Sequence, residues 1–118
     1  MILSGGMTVH NLQNMQSFVP ETADLPVIQF NDAVTSAVSV ADVSFSQKSL
    51  IISRTQSCLK PDARKTALVA LTQHEGFRSA HPREDHLMPI YVAAGAGEDG
   101  GVHVLSGLYG SQAVAFGV

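Results

Sequence analysis

Residues 77–97 read FRSAHPREDHLMPIYVAAGAG, and the fold that this sequence predicts is organised around them. His81 and His86 lie five positions apart, and an apolar run over residues 87–94 follows at once and ends in glycines. Acidic residues before an apolar run and glycines after it are typical of a helix, because carboxylates favour the N-terminus of a helix and glycine favours its C-terminus. Both histidines are therefore expected at or just before a helix N-terminus, where imidazoles can point into a cleft.

Pro89 interrupts the apolar run of this predicted helix. Proline has no N–H, and in a continuous helix its ring would clash with the carbonyl of Asp85. Two arrangements avoid the clash. The helix is kinked at Pro89, or a short turn ends near Leu87 and the main helix begins with Pro89 as its first residue. The sequence leaves both open.

The remainder of the chain predicts a strand, several helices and a terminal pair of strands. The first strand covers residues 1–3, and a glycine turn at residues 4–6 follows it. The predicted helices show apolar residues at helical spacing, and they cover residues 9–18, 32–40, 47–55 and 62–74. Extended segments are predicted at residues 27–30, 102–105 and 112–118. This order predicts a partial layered domain of the α/β class over residues 1–118. Thr8 and Asn31 are interpreted as N-caps of the first two helices.

The composition restricts the classes of partner and compartment. Only 14% of the 118 residues are charged and 45% are apolar, so much of the surface is expected to face another surface, either in a homo-oligomer or on a partner chain. A net charge of −3 without a basic cluster argues against nucleic-acid binding. The single cysteine, Cys58, fits a reducing compartment. With no run near the roughly 18 apolar residues of a membrane span and no basic segment after Met1, the expected location is cytoplasmic.

His10 is the other candidate site residue. It is expected in the first turn of the helix at residues 9–18, just past the glycine turn that follows the first strand, and ligands bind at this edge of open α/β sheets. The alternatives are structural: a surface imidazole for His10, a helix-start imidazole with a satisfied hydrogen bond for His86, and a turn-stabilising residue for His81. The glycine turn lacks the lysine of a P-loop, and the chain has no G-x-S-x-G elbow, so nucleotide binding and serine hydrolysis are not expected.

Two motifs resemble the class III extradiol ring-cleavage dioxygenases, in particular the 4,5-DOPA extradiol dioxygenase type. Residues 4–12, SGGMTVHNL, are similar to the SGG…HNL segment of that family, and residues 81–90, HPREDHLMPI, are similar to its HPREEHLLPL segment. Arg64 in PDAR and residues 30–33, FNDA, resemble further family positions. The resemblance covers essentially the whole chain but only the carboxyl-terminal part of the family domain. It therefore implies a fragment, a truncated gene product or one piece of a larger assembly, without the two histidine ligands of the amino-terminal part.

The resemblance also implies a chemistry. Extradiol cleavage of a catechol-type substrate by dioxygen needs a divalent metal, iron(II) or zinc in some relatives, with open coordination positions. It also needs an acid/base group, and an imidazole suits that task because its pKa lies near neutrality. By resemblance, His86 is the third metal ligand and His10 the acid/base or substrate-binding residue. His81 is expected to contact the substrate or to support a metal-ligating residue without binding the metal itself.

Two other functions stay open. In the first, the chain is a non-catalytic remnant or interaction subunit that packs on a partner chain. In the second, it is a small metal-binding module that uses His81 and His86 alone. Two imidazoles are a poor metal site, because structural sites use four ligands and catalytic sites three. With an incomplete ligand set, the chain alone is expected to be inactive.

Overall fold

The computed structural model describes residues 1–40, 63–97 and 100–118. Along these ranges the elements are β1 (Ile2–Met7), a 3-10 turn (Met15–Phe18), α1 (Leu25–Ser39), α2 (Ala63–Ala70), a second 3-10 turn (Leu71–Gln73), α3 (Phe77–Ala80), α4 (Met88–Ala96), β2 (Val102–Leu108) and β3 (Ser111–Phe116). The predicted α/β class, with a strand, helices and a terminal strand pair, is confirmed. The predicted helix at residues 47–55 and Cys58 lie outside the described residues. No described helix is long and apolar enough to cross a membrane.

The three described strands form one antiparallel sheet in the order β1-β3-β2. β3 is the central strand, and its Phe116 lies opposite Ile2 on one side and opposite Val102 on the other. β2 and β3 form a hairpin whose turn contains Gly110 with a φ of 77°, a left-handed conformation that favours glycine. β2 runs further than the predicted residues 102–105, with a register shift between Val104 and Ser106.

The predicted glycine turn at residues 4–6 is wrong, because β1 continues through both glycines to Met7. Gly6 faces α4, and a Cβ atom placed on it would lie 2.9 Å from side-chain carbons of Ile90. The missing side chain thus lets the helix approach the strand closely, which is the other common reason for glycine inside a strand. This approach brings the end of β1 next to the N-terminus of α4.

The predicted helix at residues 9–18 is also wrong, since only the 3-10 turn at Met15–Phe18 forms there. His10 therefore lies in an irregular segment. Its backbone N–H donates to the carbonyl of Ala80 at 2.8 Å and the N–H of Thr8 donates to the carbonyl of Gly110 at 3.1 Å, so neither group is used in a helix. Thr8 is not an N-cap, because its hydroxyl bonds to another element.

α1 begins seven residues earlier than the sequence predicted, at Leu25 instead of residue 32. The extended segment predicted at residues 27–30 is wrong, and Asn31 lies inside the helix instead of capping it. Pro26 lies in the first turn, where its missing N–H costs nothing. The buried positions Val27, Phe30, Val34 and Val38 follow helical spacing, so burial of one face outweighs the β-branched composition.

The choice left open at Pro89 is resolved by α4. The helix begins at Met88 with Pro89 in its first turn, so the second alternative is confirmed. The helix predicted over residues 62–74 is confirmed from residue 63 onward as α2 and the 3-10 turn after it, while its predicted start lies outside the described residues.

Phe30 of α1 lies at the centre of the core. Its ring meets the rings of Phe77, His74 and His81 edge-on, with centroids 5.7, 5.6 and 5.8 Å away. α1 and α4 cover the sheet face that carries Val114 and Phe116, both fully buried. The core therefore lies directly behind the segment that carries His10.

Candidate active site

His10 and His86 lie side by side in the structure. Their ring centroids are 3.7 Å apart and the ring planes are tilted by 34°. His10 comes from the segment after β1, and His86 comes from the turn before α4. The two motifs that carry the family resemblance therefore meet at one place, where the end of β1 approaches the N-terminus of α4.

Asp85 completes a group of three possible metal donors. One ligand atom each of His10, Asp85 and His86 lies within 4.8 Å of the others. The Asp85 carboxylate accepts a hydrogen bond from the backbone N–H of His86 at 3.1 Å, and its other oxygen lies 3.8 Å from Nε2 of His86. Two imidazoles and one carboxylate are a donor set that suits a divalent metal such as iron(II) and leaves coordination positions open. The residues present therefore fit such a metal.

Glu84 and Asp85 directly precede α4, whose first turn itself holds no acidic residue, and their role as partners of the helix dipole stays a prediction. Glu84 pairs with Arg78 at 2.6 Å, and this hydrogen bond holds the pKa of Glu84 below its usual value. The Glu84 carbonyl accepts hydrogen bonds from the N–H groups of Leu87 and Met88. Glu84 thus closes the turn that presents Asp85 and His86. Sequence reasoning missed Asp85, and its position next to His86 was the available signal.

His81 lies behind the cluster and is fully buried. Its Nε2 lies 2.9 Å from the carbonyl oxygen of Thr8. A carbonyl only accepts, so Nε2 carries the proton of the neutral ring. Burial is the main cause that lowers the pKa of His81, and the nearby His10 and His86 lower it further, while the Thr8 bond and Asp85 act in the opposite direction. His81 is not part of the three-donor group, and its functional role stays a prediction.

The open side of the cluster faces solvent. The side chains of His86 and Asp85 are 47% and 64% exposed, and His10 is partly buried. The ring of Phe18 stands edge-on to His10 with a centroid separation of 6.5 Å. The site therefore combines accessible donors with one aromatic neighbour.

Comparison with known proteins supports a family relationship. The chain is 33% identical over 118 residues to the "4,5-DOPA dioxygenase extradiol-like protein" of Schizosaccharomyces pombe, an alignment that covers 100% of this chain and 34% of that relative. The chain thus spans about a third of the length of the curated relative that it matches. No family model and no solved structure matches the chain. The resemblance stated from the two motifs is confirmed at this level: the chain is similar along its whole length to a protein that is named as 4,5-DOPA dioxygenase extradiol-like.

Proposed function

We propose that this chain supplies the histidine-bearing part of a metal-dependent dioxygenase that opens catechol-type rings beside their hydroxyl groups. The observation that carries the proposal is the convergence of His10, Asp85 and His86 from two separate family-like motifs. The relationship to an extradiol-like protein supports the reaction class, and the donor set supports the metal. Coverage of 34% of that relative supports a fragment or truncated form.

Each histidine has a distinct role in this proposal. His86 holds the metal, with Asp85 beside it as a further donor. Iron(II) or zinc bound there would supply open positions for a catecholate and for dioxygen. His10 removes a proton from a substrate hydroxyl and later returns it to an oxygen of the ring-opened product. Its ring centroid is 3.7 Å from that of His86, so the proton acceptor lies next to whatever His86 holds.

We further propose that the chain alone is inactive. The cluster is open to water on the side of His86 and Asp85, which are 47% and 64% exposed. Extradiol chemistry benefits from a site that excludes water, because charges are stabilised more strongly there and side reactions are prevented. The parts of the dioxygenase that lie outside this chain would shield the cluster from water and supply the remaining metal ligands.

The purified 118-residue chain is therefore expected to produce no yellow ring-opened semialdehyde from catechol or DOPA with iron(II) and dioxygen. A chimaera that joins the chain to the part of the Schizosaccharomyces pombe relative that it does not cover is the positive control, and it should form the product. Absorbance of the semialdehyde measures both. Product formation by the chain alone would contradict the proposal.

A second candidate function is a non-catalytic interaction subunit, and the outer face of the sheet favours it. Successive residues of a strand face opposite sides of the sheet. Because Gly6 faces α4, Leu3 and Met7 face the opposite, outer side. Met7 lies opposite Ser111, which lies opposite Leu108, so Leu108 shares this outer face. Leu3 is 64% and Leu108 is 70% exposed. β1, an edge of the described sheet, carries no charged residue or proline that would discourage pairing.

The isolated chain is accordingly expected to associate through this face. Sedimentation should show dimers or larger species, and Leu108→Lys should shift the distribution toward monomer because it places a charge on the apolar surface. Val92→Lys is the matched control, since Val92 is similarly exposed (68%) but lies on α4. A monodisperse wild-type monomer, or an equal effect of both substitutions, would argue against an interface on the sheet.

A further inference from the structure

We propose that the hydrogen bond between Thr8 and Asn31 positions the imidazole of His10 in the cluster. Asn31 lies in α1, outside the three-donor group, and neither residue carries a role in the chemistry described above. This inference rests on the proposed function only for the role of His10 as the acid/base group. Thr8 and Asn31 are positioning residues in this proposal, because they act through the backbone that leads to His10.

Thr8 uses each of its polar groups in a bond to a different part of the fold. It is fully buried. Its N–H donates to the carbonyl of Gly110 at 3.1 Å, and its carbonyl accepts from Nε2 of His81 at 2.9 Å. Its hydroxyl donates to Oδ1 of Asn31 at 2.6 Å. The residue at which the chain leaves β1 is therefore fixed from three directions.

Asn31 connects the end of β1 to the hairpin of β2 and β3. Its Oδ1 also accepts the backbone N–H of Gly110 at 3.2 Å. Because an N–H can only donate, the amide atom that faces Gly110 must be the oxygen, and the hydroxyl of Thr8 must then be the donor toward it. One buried oxygen of α1 thus holds both the end of β1 and the β2–β3 turn.

The constraint reaches His10 within two residues. Val9 is fully buried in the core, so the chain cannot swing outward between Thr8 and His10. The His10 N–H donates to the carbonyl of Ala80 at 2.8 Å, next to His81, which holds the Thr8 carbonyl. If the Thr8 hydroxyl bond is lost, the remaining bonds permit the segment to rotate, and the His10 ring moves relative to that of His86. Displacements of about 1 Å are enough to weaken a positioned group by large factors.

The test replaces Thr8 by valine, which keeps its shape and removes the hydroxyl, and by serine, which restores the hydroxyl. The first readout is the nuclear Overhauser effect between ring protons of His10 and His86 in the metal-free chain. The second is the affinity of the chain for Co²⁺ alone, followed by absorbance. Thr8→Val should lose the ring–ring signal but keep its affinity for Co²⁺, because His86 and Asp85 hold the metal in the proposed function and His10 does not. Thr8→Ser should resemble the wild type.

Thr35→Val is the matched control for a general loss of stability. Thr35 lies one helical turn after Asn31 in α1, and its hydroxyl donates to the Asn31 carbonyl at 3.1 Å and accepts from the Gln112 side chain. This variant should melt at a lower temperature yet keep the ring–ring signal and the Co²⁺ affinity. In an Asn31→Ala background, Thr8→Val should cause no further loss of the ring–ring signal, because the bond is already absent.

The positioning role of Thr8 and the proposed metal site are contradicted by different results. A ring–ring signal that persists in Thr8→Val would overturn the positioning role, whatever the Co²⁺ titration shows. An equal loss of signal in Thr35→Val would also overturn it, since any destabilisation would then suffice. A wild-type chain that binds no Co²⁺, but loses the ring–ring signal in Thr8→Val alone, would support the positioning role and count against the metal site.

Discussion

His86→Ala is expected to lower metal occupancy and ring-cleavage activity together in the chimaera with the Schizosaccharomyces pombe relative. The substitution removes a proposed ligand, and the remaining donors hold a divalent metal weakly. His10→Ala should leave the metal in place and lower turnover about 10²- to 10⁴-fold, the usual contribution of general acid/base catalysis. Metal analysis beside steady-state kinetics separates the two effects, because one variant loses metal and the other only rate.

The control for these variants is His103→Ala, since His103 is exposed on β2 and lies outside the three-donor group. It should change neither metal content nor rate. An empty site in His10→Ala with a loaded site in His86→Ala would mean that the two roles are assigned the wrong way round. If neither variant changed metal content or rate, the cluster would not be the active site.

Gly76→Ala is expected to cause the largest loss of stability among single substitutions at described glycines. A Cβ atom at Gly76 would lie 1.9 Å from the carbonyl oxygen of Pro26, 2.7 Å from its carbonyl carbon and 2.9 Å from Cβ of Phe30. Two of these atoms belong to backbone, so α1 as a whole must move away from the start of α3. Forced overpacking typically costs about 1–3 kcal/mol, and the clash with backbone atoms places Gly76→Ala at the upper end of that range. For a domain of this size that lowers Tm by more than about 10 °C.

Gly95→Ala is the matched control, because it makes the same chemical change without a clash. Gly95 lies inside α4, and a Cβ atom placed there would meet nothing within 4 Å. Alanine is favoured over glycine by up to about 1 kcal/mol inside a helix, so this variant should be slightly more stable than the wild type. Thermal and denaturant unfolding measure both. Equal melting temperatures for Gly76→Ala and the wild type would contradict the close packing of α1 on α3.

The parts of the fold that the sequence predicted are those specified by local chemistry. Pro89 restricted the start of α4 to two arrangements, one of which forms, because its ring acts on its own neighbours. The segment from Thr8 to His10 could not be predicted in this way. Its conformation is determined by bonds to Gly110, Asn31 and Ala80, which are distant in sequence.

The site was predictable to a similar extent. His10 and His86 stood out because both lie in motifs that resemble one family, although nothing in the local sequence predicted that their rings would touch. Asp85 was attributed to the helix dipole, since an acid before a helix usually has that explanation. Asn31 was interpreted as a cap because asparagine is common there, and only the tertiary structure reveals its bonds to Thr8 and Gly110.

The pairing of β1 with β3 also has a consequence for how the chain folds. Ile2 lies opposite Phe116, so within the described sheet β1 acquires its strand partner only when the ribosome has synthesised β3. The helices between them can form earlier, since their hydrogen bonds are local. Closing a loop of this length costs conformational entropy before any strand contact compensates for it, which slows folding. His10, which follows β1 after two residues, is therefore brought to His86 only in a late step of folding, after α4 and the central strand are available.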